Sequence, residues 1–151
     1  MENRAQEAYS FLDKLVRKWE LSGQMGAVPL KQSVEAKWIL GGLFVQMYFS
    51  STLPPPEGQK RYEAIYHIGY NAEQDRYVMH LLDTFGVALV SIPGIGQREG
   101  NSIPFVFAYG AGPFTNHFVY DADSDSWSFE QSQIREGQSH TFATKRMTRR
   151  S

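Results

Sequence analysis

Lys60-Arg61-Tyr62-Glu63-Ala64-Ile65-Tyr66-His67-Ile68-Gly69-Tyr70 is the stretch on which the fold turns. Successive side chains of an extended chain point to opposite faces, so Tyr62, Ala64, Tyr66, Ile68 and Tyr70 share one face while Arg61, Glu63, Ile65 and His67 share the other. An apolar face backed by a mixed one is the pattern of a half-buried strand. The next segment, Asp75 to Asp83, sets Tyr77, Met79 and Leu81 against Arg76, Val78, His80 and Leu82, which is apolar on both faces at its centre. Further along, Phe114, Asn116, Phe118 and Tyr120 alternate with Thr115, His117, Val119 and Asp121, and Trp127 and Phe129 with Ser128 and Glu130.

Turn-forming residues break this alternation at short intervals: Gly26 to Pro29, Gly41-Gly42, Leu53 to Gly58, Asn71 to Asp75, Pro93-Gly94, Gly100-Asn101, Gly110 to Pro113, Asp121 to Asp125 and Glu136-Gly137. About nine or ten strand-sized segments lie between them. Short connections favour pairing of sequential strands, and closure removes the exposed edges that long apolar strands would present. The expected fold is therefore mainly β: a closed or nearly closed antiparallel up-and-down barrel of about 8–10 strands. Only the N-terminus has a helical period: Ala5, Ala8, Phe11, Leu12, Leu15 and Val16 fall on one stripe, which predicts one helix over 4–16, with Asn3 and Gln6 as a capping box. The helix would plug the barrel's open end or lie across its wall. The barrel would occupy about 17–149 within a single domain spanning 1–151.

The composition narrows the chemistry. The 151 residues are 42% hydrophobic, carry 15 Lys and Arg against 16 Asp and Glu, and include no cysteine. Disulfides, thiolate nucleophiles and Cys-ligated metal centres are thereby excluded, and a net charge of −1 gives no field for nucleic acid or an anionic membrane. The charged N-terminus has no apolar run behind it, so a cytoplasmic location is expected, with neither nucleic acid nor membrane as partner.

Several motifs start and do not finish. Asp121, Asp123 and Asp125 have the spacing that opens a calcium-binding loop, but Ser126 stands where that loop needs Gly and Ser132 where it needs a bidentate Glu. A hairpin turn with Asp side chains on local amides is the better reading. Gly94, Gly96 and Gly100 miss the dinucleotide fingerprint by one residue, with Glu99 in the third place, and read as a flexible glycine-rich connection. No serine sits in a nucleophile elbow. His67, His80, His117 and His140 lack the spacing of a helical metal site. Lys145, Arg146, Arg149 and Arg150 read as a solvated basic last strand.

Taken in order, these elements resemble the calycin group of lipocalin-like barrels, and more closely a bacterial lipocalin-like family of unknown function. The matching stretches are Leu15 to Trp19, Leu40-Gly41-Gly42-Leu43-Phe44 on to Tyr48, Ile68-Gly69-Tyr70-Asn71 with Arg76-Tyr77-Val78, Leu82-Asp83-Thr84-Phe85-Gly86, and the closing basic strand. Arg17 departs from the pattern, standing where the family has a first-strand Gly. The resemblance implies that Trp19 closes one end of the barrel under Arg146 or Arg149, a cation–π contact of about 0.5–2 kcal/mol.

A barrel of this size fills its interior or holds one small ligand. Gln46, Tyr48, Tyr66, His80 and His117 sit among apolar neighbours and are the expected ligand-binding residues, the ligand being small and apolar or aromatic. Two other readings compete. An enzyme could use the same cavity, with Asp83 or His80 as base and a tyrosine as acid, or with His140 as a haem ligand. Alternatively, a packed barrel could be a structural module, with Leu43, Val45, Met47 and Phe49 forming a face that a homodimer or the helix would cover. No catalytic residue, metal or cofactor is assigned.

Overall fold

The computed structural model describes residues 2–87 and 92–150. A single helix, α1 (Glu2–Asp13), precedes ten strands: β1 (Lys18–Met25), β2 (Val28–Ile39), β3 (Phe44–Ser51), β4 (Glu63–Asn71), β5 (Arg76–Asp83), β6 (Gly94–Gly96), β7 (Ser102–Phe107), β8 (Phe114–Asp121), β9 (Ser126–Arg135) and β10 (Gln138–Arg149). Each strand pairs antiparallel with its sequence neighbour, and β1 closes the ring against β10 from Trp19–Arg149 to Met25–Ala143. The helix opens at Glu2, so Asn3 lies inside it and is not its cap, and it ends at Asp13 in a tightened turn where Lys14, Leu15 and Val16 donate to Phe11, Leu12 and Asp13 carbonyls. No helix among the described residues is long and apolar enough to cross a membrane.

Closure decides which parity faces inward. Trp19 and Leu21, Val34 and Ala36, Val45, Met47 and Phe49, Ala64, Tyr66 and Ile68, Tyr77 and Met79, Phe105 and Phe107, Phe118 and Tyr120, Trp127 and Phe129, and Ala143 and Met147 are all buried within the ring. Fully burying one such large apolar side chain is worth about 1.5–3 kcal/mol, so this interior supplies most of the driving force for closure. It also meets the need for cover that Val45, Met47 and Phe49 raise; Leu43 alone of that set is exposed, in the turn before β3.

Helix α1 plugs one end. Ala8, Phe11, Leu12 and Leu15 are buried, and the Phe11 ring meets Trp127 edge-on at 5.4 Å. All three tryptophans anchor this end: Trp19 donates to the Leu15 carbonyl at 2.8 Å, Trp127 to the Lys14 carbonyl at 3.1 Å and Trp38 to the Asp13 carboxylate at 2.7 Å. A buried indole N–H is costly unless paired, and the end of the helix leaves carbonyls free to pair it.

The cation over Trp19 is Arg17, 5.1 Å from the ring, and not Arg146 or Arg149. The residue that departs from the expected Gly thus supplies the contact. Arg149 instead pairs with Asp125, which also accepts from Arg17 at 3.1 Å and from the Tyr120 hydroxyl at 2.6 Å. Arg146 donates to the Ser126 hydroxyl at 2.9 Å and faces Asp121 at 3.7 Å. The acidic turn between β8 and β9 is a hairpin in which Asp121 accepts the Asp123 backbone N–H at 3.0 Å.

Gly94 and Gly96 form β6 rather than a flexible connection. A Cβ on Gly94 would lie 2.5 Å from the Phe107 ring, and one on Gly96 2.4 Å from the Pro104 carbonyl. These glycines let β7 and its ring lie close, a packing requirement that has no signature in a single sequence.

Candidate functional site

The antiparallel order places the ends of β1, β5 and β9 and the starts of β4, β8 and β10 at the mouth opposite the helix. There the interior opens into a cavity of about 320 Å³. Its wall is largely apolar, with Met25, Leu81, Phe85, Tyr109, Phe114 and Phe142, and it also carries Tyr62, Tyr66, Asp83, Gln131, Gln133 and Lys145. The aromatic side is layered: Phe107 stacks on Phe114 at 5.3 Å, and Phe114 meets Phe142 at 5.8 Å. The proline-rich loop of residues 53–58 lies at this same end, joining β3 to β4, and its prolines are not on the cavity wall.

Of the five residues expected to bind a ligand, Tyr66 alone is on this wall. Gln46, Tyr48, His80 and His117 alternate with the buried residues of β3, β5 and β8 and so stand on the outer face. There Gln46 pairs with the His67 imidazole at 3.0 Å, and His80 lies opposite His67 in the β4–β5 register. Partial burial, followed by the nearby His80, holds the His67 pKa below its ordinary value. The Tyr48 hydroxyl donates to Glu63. His140 is exposed on β10 and does not line the cavity, so the haem reading loses its ligand there. Of the two bases considered, Asp83 is on the wall and His80 is outside.

Lys145, read in the sequence as a solvated member of the basic strand, is buried in the barrel and faces the cavity. Its neighbours carry the signal: Ala143 and Met147 are apolar, and the period-two rule sets Lys145 on their face. Opposite it in the β1 register is Gly23, where a Cβ would meet the Thr144 carbonyl at 2.2 Å and the Lys145 Cα at 2.8 Å. A glycine is therefore required at this crossing.

The polar lining is graded by depth. At the mouth, Asp83 accepts from the Tyr62 hydroxyl at 3.3 Å and the Phe85 backbone N–H at 2.9 Å. Burial, then the charge of neighbouring groups, pushes the Tyr62 phenol far above its ordinary pKa. Deeper, burial likewise raises Tyr66, offset in part by the Asn116 and Gln131 amides beside it. Asn116 is fully buried, and neither its Oδ1 nor its Nδ2 has a hydrogen-bond partner; the same holds for Oε1 of buried Gln32. Buried polar atoms left unpaired cost about 1–3 kcal/mol each, but neither Asn116 nor Gln32 is on the cavity wall. Burial lowers the Lys145 ammonium to a pKa of about 8, with the Asp83 charge acting the other way. No ion pair holds Lys145 among the described residues.

Fold and site together define a class: closed antiparallel barrels plugged by a helix at one end and opening at the other into a mainly apolar cavity with a few polar groups. Within that class, the chain belongs to a family of proteins of unknown function, DUF1579, whose family model matches residues 4–149. No curated protein matches the sequence.

Proposed function

We propose that this protein is a small-molecule binding protein that takes an apolar or aromatic ligand into the open end of the barrel. The observation that carries the reading is the cavity of about 320 Å³, whose wall is aromatic while its polar groups are few and inward-facing. Pockets for small ligands run from about 300 to 1,000 Å³ and combine such apolar lining with a small number of placed polar groups.

The test is titration with N-phenyl-1-naphthylamine, an uncharged dye that brightens in apolar surroundings. Saturable binding of one equivalent is expected. Leu81→Trp, which places an indole into the cavity, should weaken it by about tenfold or more, equivalent to about 1.4 kcal/mol. Absence of saturable binding, or binding indifferent to Leu81→Trp in a folded variant, overturns the proposal.

A further inference from the structure

The lysine inside the cavity is the feature that an apolar ligand alone leaves unexplained. Lys145 is buried, lies on the cavity wall, and has no carboxylate within ion-pair distance among the described residues. The titratable groups on the same wall are Asp83 at the end of β5, Tyr62 just before β4, Tyr66 on β4 and Tyr109 after β7, while β1 offers only the bare backbone of Gly23. A desolvated lysine amine in an apolar pocket is the arrangement that makes this side chain a nucleophile toward carbonyl carbon.

Resting on the small-ligand reading above, we propose that Lys145 anchors its ligand covalently, as the imine of an aromatic or conjugated aldehyde. The uncharged Nζ adds to the aldehyde carbon; one amine proton and one proton from solvent pass to the carbonyl oxygen, which leaves as water, and the second amine proton stays on the C=N nitrogen as the iminium. No oxidant or reductant enters. Three features of the site favour an aldehyde over an organic anion. Burial favours the uncharged amine, which an aldehyde consumes and an anion does not. The iminium keeps a positive charge on a wall that already carries the Asp83 carboxylate, whereas an anion would place a second negative charge beside it. Finally, Tyr109, Phe114 and Phe142 give a flat conjugated chain an aromatic surface to lie against.

Lowering the amine from 10.5 to about 8 leaves about 300-fold more uncharged amine at neutral pH than an exposed lysine has. The experiment incubates the full chain with one equivalent of cinnamaldehyde and cyanoborohydride, and reads the reduced adduct by intact mass and peptide mapping. A single addition on Lys145 is expected, at least about tenfold faster at neutral pH than on any other lysine. Lys145→Met should abolish that adduct while still binding cinnamyl alcohol, which has the same shape and no carbonyl.

Label spread evenly over the exposed lysines, with cinnamyl alcohol still bound, overturns the imine and leaves the small-ligand reading standing. Cinnamate binding more tightly than cinnamyl alcohol, with the difference lost in Lys145→Met, overturns it in favour of an anion site. Failure of the alcohol, the acid and the aldehyde alike, together with failure of the naphthylamine dye, removes the cavity reading on which the inference rests.

Discussion

Asn116 illustrates how a single residue separates packing from function in this barrel. Its side chain is fully buried, and its amide lies near enough to the Tyr66 hydroxyl to lower that phenol's pKa, yet neither amide atom makes a hydrogen bond of good geometry. Leucine has nearly the same shape and no polar atoms to strand. Asn116→Leu is therefore expected to raise stability by about 1–3 kcal/mol, each kcal/mol moving the thermal midpoint by about 2–4 °C. A thermal melt decides this directly; a fall in midpoint means that Asn116 is paired in solution, with the Tyr66 hydroxyl beside it as the partner. Glycine works the other way at position 23, where the absence of a side chain lets β1 lie against the backbone of Thr144 and Lys145.

At the level of the element, α1 behaves as a stopper. Its buried residues Ala8, Phe11 and Leu12 fit the spacing of residues three and four apart on a helix, and the turn that follows it adds buried Leu15 and the Lys14 and Leu15 carbonyls that receive the indoles of Trp127 and Trp19. Phe11 also lies under the Arg98 guanidinium at 3.9 Å, which ties the helix to the segment following β6. Removing that ring should cost about 3–5 kcal/mol, the range for buried aromatic truncations. Urea denaturation of Phe11→Ala measures it. A loss below about 1 kcal/mol would mean that the helix contributes little to holding the barrel closed. The acidic hairpin between β8 and β9 is a second fastening, where Asp125 gathers Tyr120, Arg17 and Arg149.

Across the whole molecule, the buried lysine gives stability a pH signature. The unfolded chain binds the Lys145 proton up to about 10.5 and the folded chain up to about 8. Between those values the unfolded state binds more protons, so stability rises with pH, by at most about 1.4 kcal/mol per pH unit. Below the folded value both states are protonated and this group contributes no slope. Burial raises Tyr62 and Tyr66, so the unfolded phenols release their protons first and oppose the gain above about pH 10. Thermal midpoints should therefore climb from about pH 8 to about pH 10 and fall beyond. In Lys145→Met the climb should vanish; a climb that survives the substitution assigns it to other groups.

Alternation along β4, β5, β8 and β9, with Gly and Pro turns at short intervals, determined by itself that this chain is an antiparallel barrel, because each strand's pattern is local and its pairing partner is the next in sequence. The helical stripe near the N-terminus was local for the same reason. Which parity faces inward was not: several strands are apolar on both faces, and only closure of β1 on β10 sends Tyr66 inside and Gln46, Tyr48, His80 and His117 outside. Lys145 was readable from the period of Ala143 and Met147, but the charges beside it drew the reading toward solvent. That Arg17 covers Trp19, that Gly94 makes room for Phe107, and that Asp83 shares a wall with Lys145 depend on contacts between residues far apart in the chain, which tertiary structure alone decides.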